Sequence, residues 1–175
     1  MIKKSVFIAL FSLFNVFIGW AQTAHYNVVP LPKSIQYANA GDFILNSQTT
    51  IAYPKGNKAL HQNAILLAQY IQQSTGLKLK VVAKANDNSI TLRQNLASNH
   101  TEAYQLKVTK MGVFIDGASD AGCFYGIQTL RKALPVGRVQ QVTLPSVEVE
   151  DYPRFSYRGA HLDVARHFTT ADSIY

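Results

Sequence analysis

Apolar positions recur along this chain with two different periods. Between residues 57 and 75, Leu60, Ala64, Leu67, Ala68 and Ile71 return at helical spacing, which predicts one helix with a buried stripe, and Gly76 supplies its stop. Residues 77–83 alternate instead, with Leu77, Leu79 and Val81 against Lys78 and Lys80. That pattern predicts a half-buried strand, and the polar turn at Asn86, Asp87 and Asn88 leads into another strand at 89–93. Upstream, Pro30 and Pro32 exclude a helix, and Gly41 and Asp42 turn into short strands at 43–45 and 49–53. The clearest hairpin covers 103–109 and 112–117, where Tyr104, Leu106 and Val108 alternate with Gln105, Lys107 and Thr109 around a turn at 110–112. Residues 116–120 close its second strand and cap a second helix over about 121–134, which Pro135 and Gly137 stop. Phe124, Ile127, Leu130 and Leu134 form the expected stripe of that helix, and Gly122 and Gly126, four apart, allow close approach to a sheet. Neither P-loop nor dinucleotide spacing accompanies these glycines, so their role is packing. Residues 142–149 return as an extended segment. The fold class is therefore α+β, a mixed sheet with two helices.

The first residues belong to a different pattern. Lys3 and Lys4 give a positive start, residues 5–18 an apolar run, and Gly19 and Ala21 small side chains at the positions that precede a leader cleavage. Residues 1–21 are expected to be a signal peptide cut after Ala21, which sends the protein to the periplasm or outside the cell. An uncleaved anchor is the competing reading, but the run is shorter than the roughly 20 residues that span a bilayer. No membrane span is expected after cleavage.

Composition narrows the remaining choices. A hydrophobic share of 47% with 15% charge predicts a folded core in a chain of 175 residues. The formal charge of +7 includes Lys3 and Lys4; without them, 15 basic residues face 10 acidic ones. The lysines are scattered in no basic block, so the excess reads as a solvated surface and not as a nucleic-acid interface. Cys123 is the one cysteine and falls in an apolar helical segment, which points to a buried thiol without a disulfide. No HExxH or similar histidine and carboxylate cluster is present, so neither a metal site nor a metallopeptidase is expected.

The densest chemistry lies in YRGAHLDVARHF, residues 157–168, where Arg158, His161, Asp163, Arg166 and His167 stand in an otherwise apolar frame. Alternation places Arg158, Ala160 and Leu162 on one face of a strand and Gly159, His161 and Asp163 on the other. Polar groups buried there need partners. A structural Asp163 to Arg166 ion pair at a strand end would supply one, and Asp163 could equally order Arg158. From Thr170 onward the chain resembles a helix cap and its first turn.

The runs HYNVVPLPKSIQ, EAYQLKV, GCFYGIQTLRKALP and DYPRFSYRGAHLDVARHF together resemble the amino-terminal part of a bacterial β-N-acetylhexosaminidase of glycoside hydrolase family twenty. The resemblance covers nearly all of the chain after the leader. It implies an accessory α+β domain over 22–152 and, at 153–175, the first strand of a truncated (β/α)8 catalytic barrel, since a whole barrel needs about 250 residues. It implies that Arg158 binds hydroxyls of the terminal sugar, with His161, Asp163, Arg166 and His167 as candidates for supporting roles around it. No catalytic residue is expected within these residues, because the family's Asp-Glu pair lies on a later barrel strand, and the chain alone should not turn over substrate. The implied partner is an N-acetylhexosamine-containing oligosaccharide or glycan, and no cofactor is implied. A secreted, non-catalytic glycan-binding or interaction module is the alternative.

Overall fold

The computed structural model describes residues 21–164 and 168–174. The leader pattern up to residue 20 and the candidates Arg166 and His167 lie outside the described residues. In chain order the elements are β1 (Ala21–Thr23), β2 (Ser34–Tyr37), β3 (Phe43–Asn46), β4 (Thr50–Ala52), α1 (Lys58–Thr75), β5 (Lys80–Val82), β6 (Ser89–Arg93), β7 (Tyr104–Thr109), β8 (Gly112–Gly117), α2 (Asp120–Ala133), β9 (Gln141–Leu144), β10 (Val147–Asp151) and the short α3 (Ala171–Ile174). Seven strands form one sheet in the order β2-β10-β7-β8-β6-β4-β5, and β1-β9-β3 form a second. The large sheet is antiparallel from β2 to β8 and parallel from β8 to β5.

Register explains why the alternation holds the sheet together. Val147 faces Val108, Val108 faces Val113, Val113 faces Ile90, Ile90 faces Ile51 and Ile51 faces Val81, so one row of β-branched side chains crosses six strands. A second row joins Val149, Leu106, Ile115 and Leu92. Each fully buried side chain of this kind contributes about 1.5–3 kcal/mol relative to exposure. The opposite face carries polar pairs: Lys107 meets Glu148 at 3.2 Å, and Arg93 makes a two-pronged contact with Asp116 at 2.7 and 2.6 Å. The sheet is half-buried, as the alternation predicts.

Both helices begin and end where capping chemistry allows. The Asn57 side chain accepts from Leu60 N at 3.0 Å, and Gly76, at φ 80°, closes α1 in the left-handed region. Ser119 Oγ accepts from Gly122 N at 3.2 Å and donates to Thr101 O at 2.6 Å, which ties the start of α2 to the loop before β7. A Cβ on Gly122 would stand 2.2 Å from Ala103 O, and one on Gly126 would stand 2.6 Å from Ile115 Cγ2. The two glycines therefore set which face of α2 meets the sheet. That choice corrects the expected stripe: Cys123, Ile127 and Leu130 are buried, whereas Phe124 is half-buried and packs edge-on to Tyr125.

Other boundaries move for local reasons. β5 starts only at Lys80, because Leu77 N donates to Thr75 Oγ1 and so belongs to the exit of α1. The extended segment at 142–149 is two strands, β9 in the small sheet and β10 in the large one. Between them Ser146 is buried, donating from Oγ to Val108 O and from its backbone N to Asp42 Oδ1. β1 and β2, three and four residues long, carry no alternation long enough to detect.

The strand expected over 158–163 does not form. Residues 156–164 are exposed and carry neither helix nor strand. A strand needs a neighbouring strand to complete its backbone hydrogen bonds, and among the described residues no strand of either sheet is laddered to this segment. The helix start expected after Thr170 is present as α3, with Ser173 N donating to Thr170 O at 3.0 Å.

Candidate functional site

Arg158 leaves the end of the large sheet and turns back onto it. Its Nη1 donates to Phe155 O at 2.8 Å, and its Nη2 donates to Glu102 Oε2 at 2.8 Å and to the Tyr125 hydroxyl at 3.2 Å. Tyr125 in turn donates to the other Glu102 oxygen at 3.3 Å. Glu102 precedes β7 and Tyr125 is on α2, so three separate parts of the chain meet at one guanidinium. The hydrogen bonds it donates to Glu102 and Tyr125 hold that guanidinium protonated, above its already high ordinary value. Three of the five N–H donors of an arginine are used in this way, and 40% of the side chain stays exposed.

The triad stands at the wall of a cleft of about 950 Å³ between the segment at 28–33 and the segment at 151–158. Lys132 closes one side by donating from Nζ to Val29 O. Tyr152 stacks on His100 with ring centroids 4.1 Å apart and carries the Lys33 ammonium 5.0 Å from its own ring centroid. Aromatic faces, a carboxylate and cationic donors thus share one concave surface, which is a composition suited to polyhydroxylated ligands. Val29, Leu31, Phe155 and Tyr157 are strongly exposed around it. Among the described residues no group of three or more histidine, cysteine, aspartate or glutamate side chains could hold a metal ion, and no helix is long and apolar enough to cross a membrane.

The structure brings together only part of the candidate set. His161 and Asp163 lie on the exposed segment that follows Arg158. The carboxylate seen on Arg158 is that of Glu102, 56 positions away. Sequence reasoning missed Glu102 and Tyr125 because nothing local marks them. The available signal was weak: a carboxylate just before an alternating strand, and a phenol beside the apolar stripe of a helix.

Three comparisons bear on this arrangement. The family model described as glycosyl hydrolase family 20, domain 2, matches residues 25–152. A β-hexosaminidase of Porphyromonas gingivalis is 36% identical over 157 residues, covering 85% of this chain and 20% of the relative. A β-N-acetylhexosaminidase of Cellulomonas fimi is 29% identical over 150 residues, covering 84% of this chain and 30% of the relative. Among solved structures, the family 20 β-N-acetylhexosaminidase of Streptomyces coelicolor A3(2) superposes with a TM-score of 0.72 at 28% identity, over 83% of this chain and 30% of that one. A mutant β-hexosaminidase of Streptomyces plicatus, solved in complex with product GlcNAc, gives a TM-score of 0.72 at 29% identity, with the same coverage of 83% and 30%. The chain thus spans 20–30% of the length of these relatives.

Proposed function

The chain belongs to glycosyl hydrolase family 20, and from that membership we propose that it is the amino-terminal part of an exported, exo-acting β-N-acetylhexosaminidase. Residues 22–152 form the accessory domain and residues 153–175 open the catalytic barrel. The enzyme removes terminal N-acetylhexosamine residues from glycans with retention of configuration. The substrate's own acetamido carbonyl attacks the anomeric carbon while a glutamic acid protonates the leaving oxygen. That glutamic acid, and the aspartate that orients the acetamido group, belong to a segment beyond Tyr175, so these 175 residues alone do not hydrolyse substrate.

The observation that carries the reading on this chain's own residues is the placement of Arg158. Its guanidinium is oriented by Glu102 and Tyr125, and two of its N–H donors are not engaged by the described residues. The two donors left, Nε–H and one Nη1–H, lie in the guanidinium plane on different edges, so each can reach a separate hydroxyl of a sugar, and through them Arg158 positions the terminal residue for attack at its anomeric carbon. Lysine offers a point charge and cannot reproduce that planar arrangement.

The test is to read the encoding locus past Tyr175 and to assay the whole product on a chromogenic N-acetylglucosaminide. An open frame with an Asp-Glu pair and hydrolysis is expected, with kcat/KM lowered about 10²-fold or more in Arg158→Ala and not restored in Arg158→Lys. A stop at residue 175, with glycan binding and no hydrolysis, would replace the enzyme with a binding module.

A further inference from the structure

The leader pattern and the start of the fold meet at one residue. Cleavage after Ala21 makes Gln22 the first residue of the exported chain, an expectation that this inference shares with the exported enzyme proposed above. The structure fastens that terminus closely. Gln22 pairs with Val142 and Thr23 with Thr143 in the parallel ladder of β1 and β9. Ala24 N then donates to Thr143 O at 2.9 Å and His25 N to Ala133 O at 3.0 Å, while Ala24 and Tyr26 are 1% and 0% exposed. The core therefore begins two residues after the new amino terminus.

Gln22 itself is half-buried at the edge of the small sheet, and its Oε1 is shielded from solvent without a hydrogen-bond partner among the described residues. No hydrogen bond at that oxygen holds the side chain in its linear form. A free ammonium at this edge would carry a charge into a partly desolvated position, which is unfavourable. An α-amino group has the lowest pKa of the common amines, about 7.7–8.0, so part of it is neutral and nucleophilic near neutral pH.

We propose that Gln22 is a modification site, cyclised to pyroglutamate in the mature protein. The α-amine attacks its own side-chain Cδ, a five-membered ring closes through a new N–Cδ bond, and the Cδ–Nε2 bond breaks. The amide nitrogen leaves as ammonia, taking up the proton that the amine releases, so no oxidant, reductant or second substrate is required. Oε1 remains as the lactam oxygen, and the terminus becomes neutral. The consequence is protection of β1. The two residues of β1 that remain at the start of the exported chain, Gln22 and Thr23, are the part most open to aminopeptidases, and those enzymes need a free amine.

The experiment uses the whole reading frame with its own leader in an exporting bacterial host, with intact mass recorded before digestion. Trypsin should release residues 22–33, ending at Lys33, lighter by one ammonia than the synthetic linear peptide. The native protein should resist an aminopeptidase, whereas Gln22→Ala loses its first residues to the same enzyme. A terminus at residue 22 that keeps the full glutamine mass, even after incubation with purified glutaminyl cyclase, would overturn cyclisation and leave the cleavage standing. A terminus anywhere other than residue 22 would overturn both. Equal resistance of the native protein and Gln22→Ala would remove the protective role. Hydrolase activity enters none of these readouts, so the modification and the proposed catalysis fail separately.

Discussion

Cys123 has no exposed surface, and burial, with Asp116 adding to it, pushes its thiol up to about 12. The thiolate is the reactive form, so at neutral pH this cysteine should be inert in the folded chain. Iodoacetamide should leave the native protein unlabelled and add one mass increment once denaturant exposes the helix. Rapid labelling of the native protein would contradict the packing of α2. Burial of this thiol was legible from its apolar helical neighbours, whereas Arg158 was singled out only by the resemblance of its RG pair to the family. The partners of Arg158 were not legible. Glu102 and Tyr125 reach it from other elements, and a hydrogen bond between residues 56 positions apart leaves no periodic trace in either segment.

α2 sits close to the β7–β8 hairpin because two of its residues lack side chains. A methyl group on Gly122 would meet the carbonyl of Ala103 at 2.2 Å, and backbone cannot swing aside as the end of a flexible side chain can. Gly122→Ala should therefore destabilise the domain by about 1–3 kcal/mol despite the better helix propensity of alanine. Urea unfolding checks this, and a midpoint equal to or above that of the native chain would show that the helix can lift off the sheet at no cost. The existence of both helices and of the hairpin could be read in advance, because each is a local period with a local stop: Asn57 and Gly76 around α1, Ser119 and Pro135 around the segment of α2. The face that α2 turns inward could not, since both Cys123 and Phe124 fit an apolar stripe and only contact with the sheet separates them.

For the molecule as a whole, three buried acids share one direction of response to pH. Burial raises Cys123 and Tyr104 from their ordinary 9.0 and 10.0 to about 12, and it raises Tyr26 as well. The fold favours the protonated form of each. Their contribution to stability is complete below the unfolded values and is lost as pH climbs from those values through the folded ones. The urea midpoint should stay level through neutral pH and fall from about pH 9 upward; a level midpoint far into the alkaline range would mean that these groups ionise in place. Taken alone, the sequence determined the α+β class, the helices, the hairpin, the alternation of its strands and the family resemblance, because each is written in spacing along a continuous stretch. Only the tertiary structure decided how β9 and β10 divide between two sheets, which face α2 buries, and which carboxylate holds Arg158. Those outcomes depend on contacts between segments far apart in the chain, where steric fit and hydrogen-bond geometry select a partner that no local period specifies.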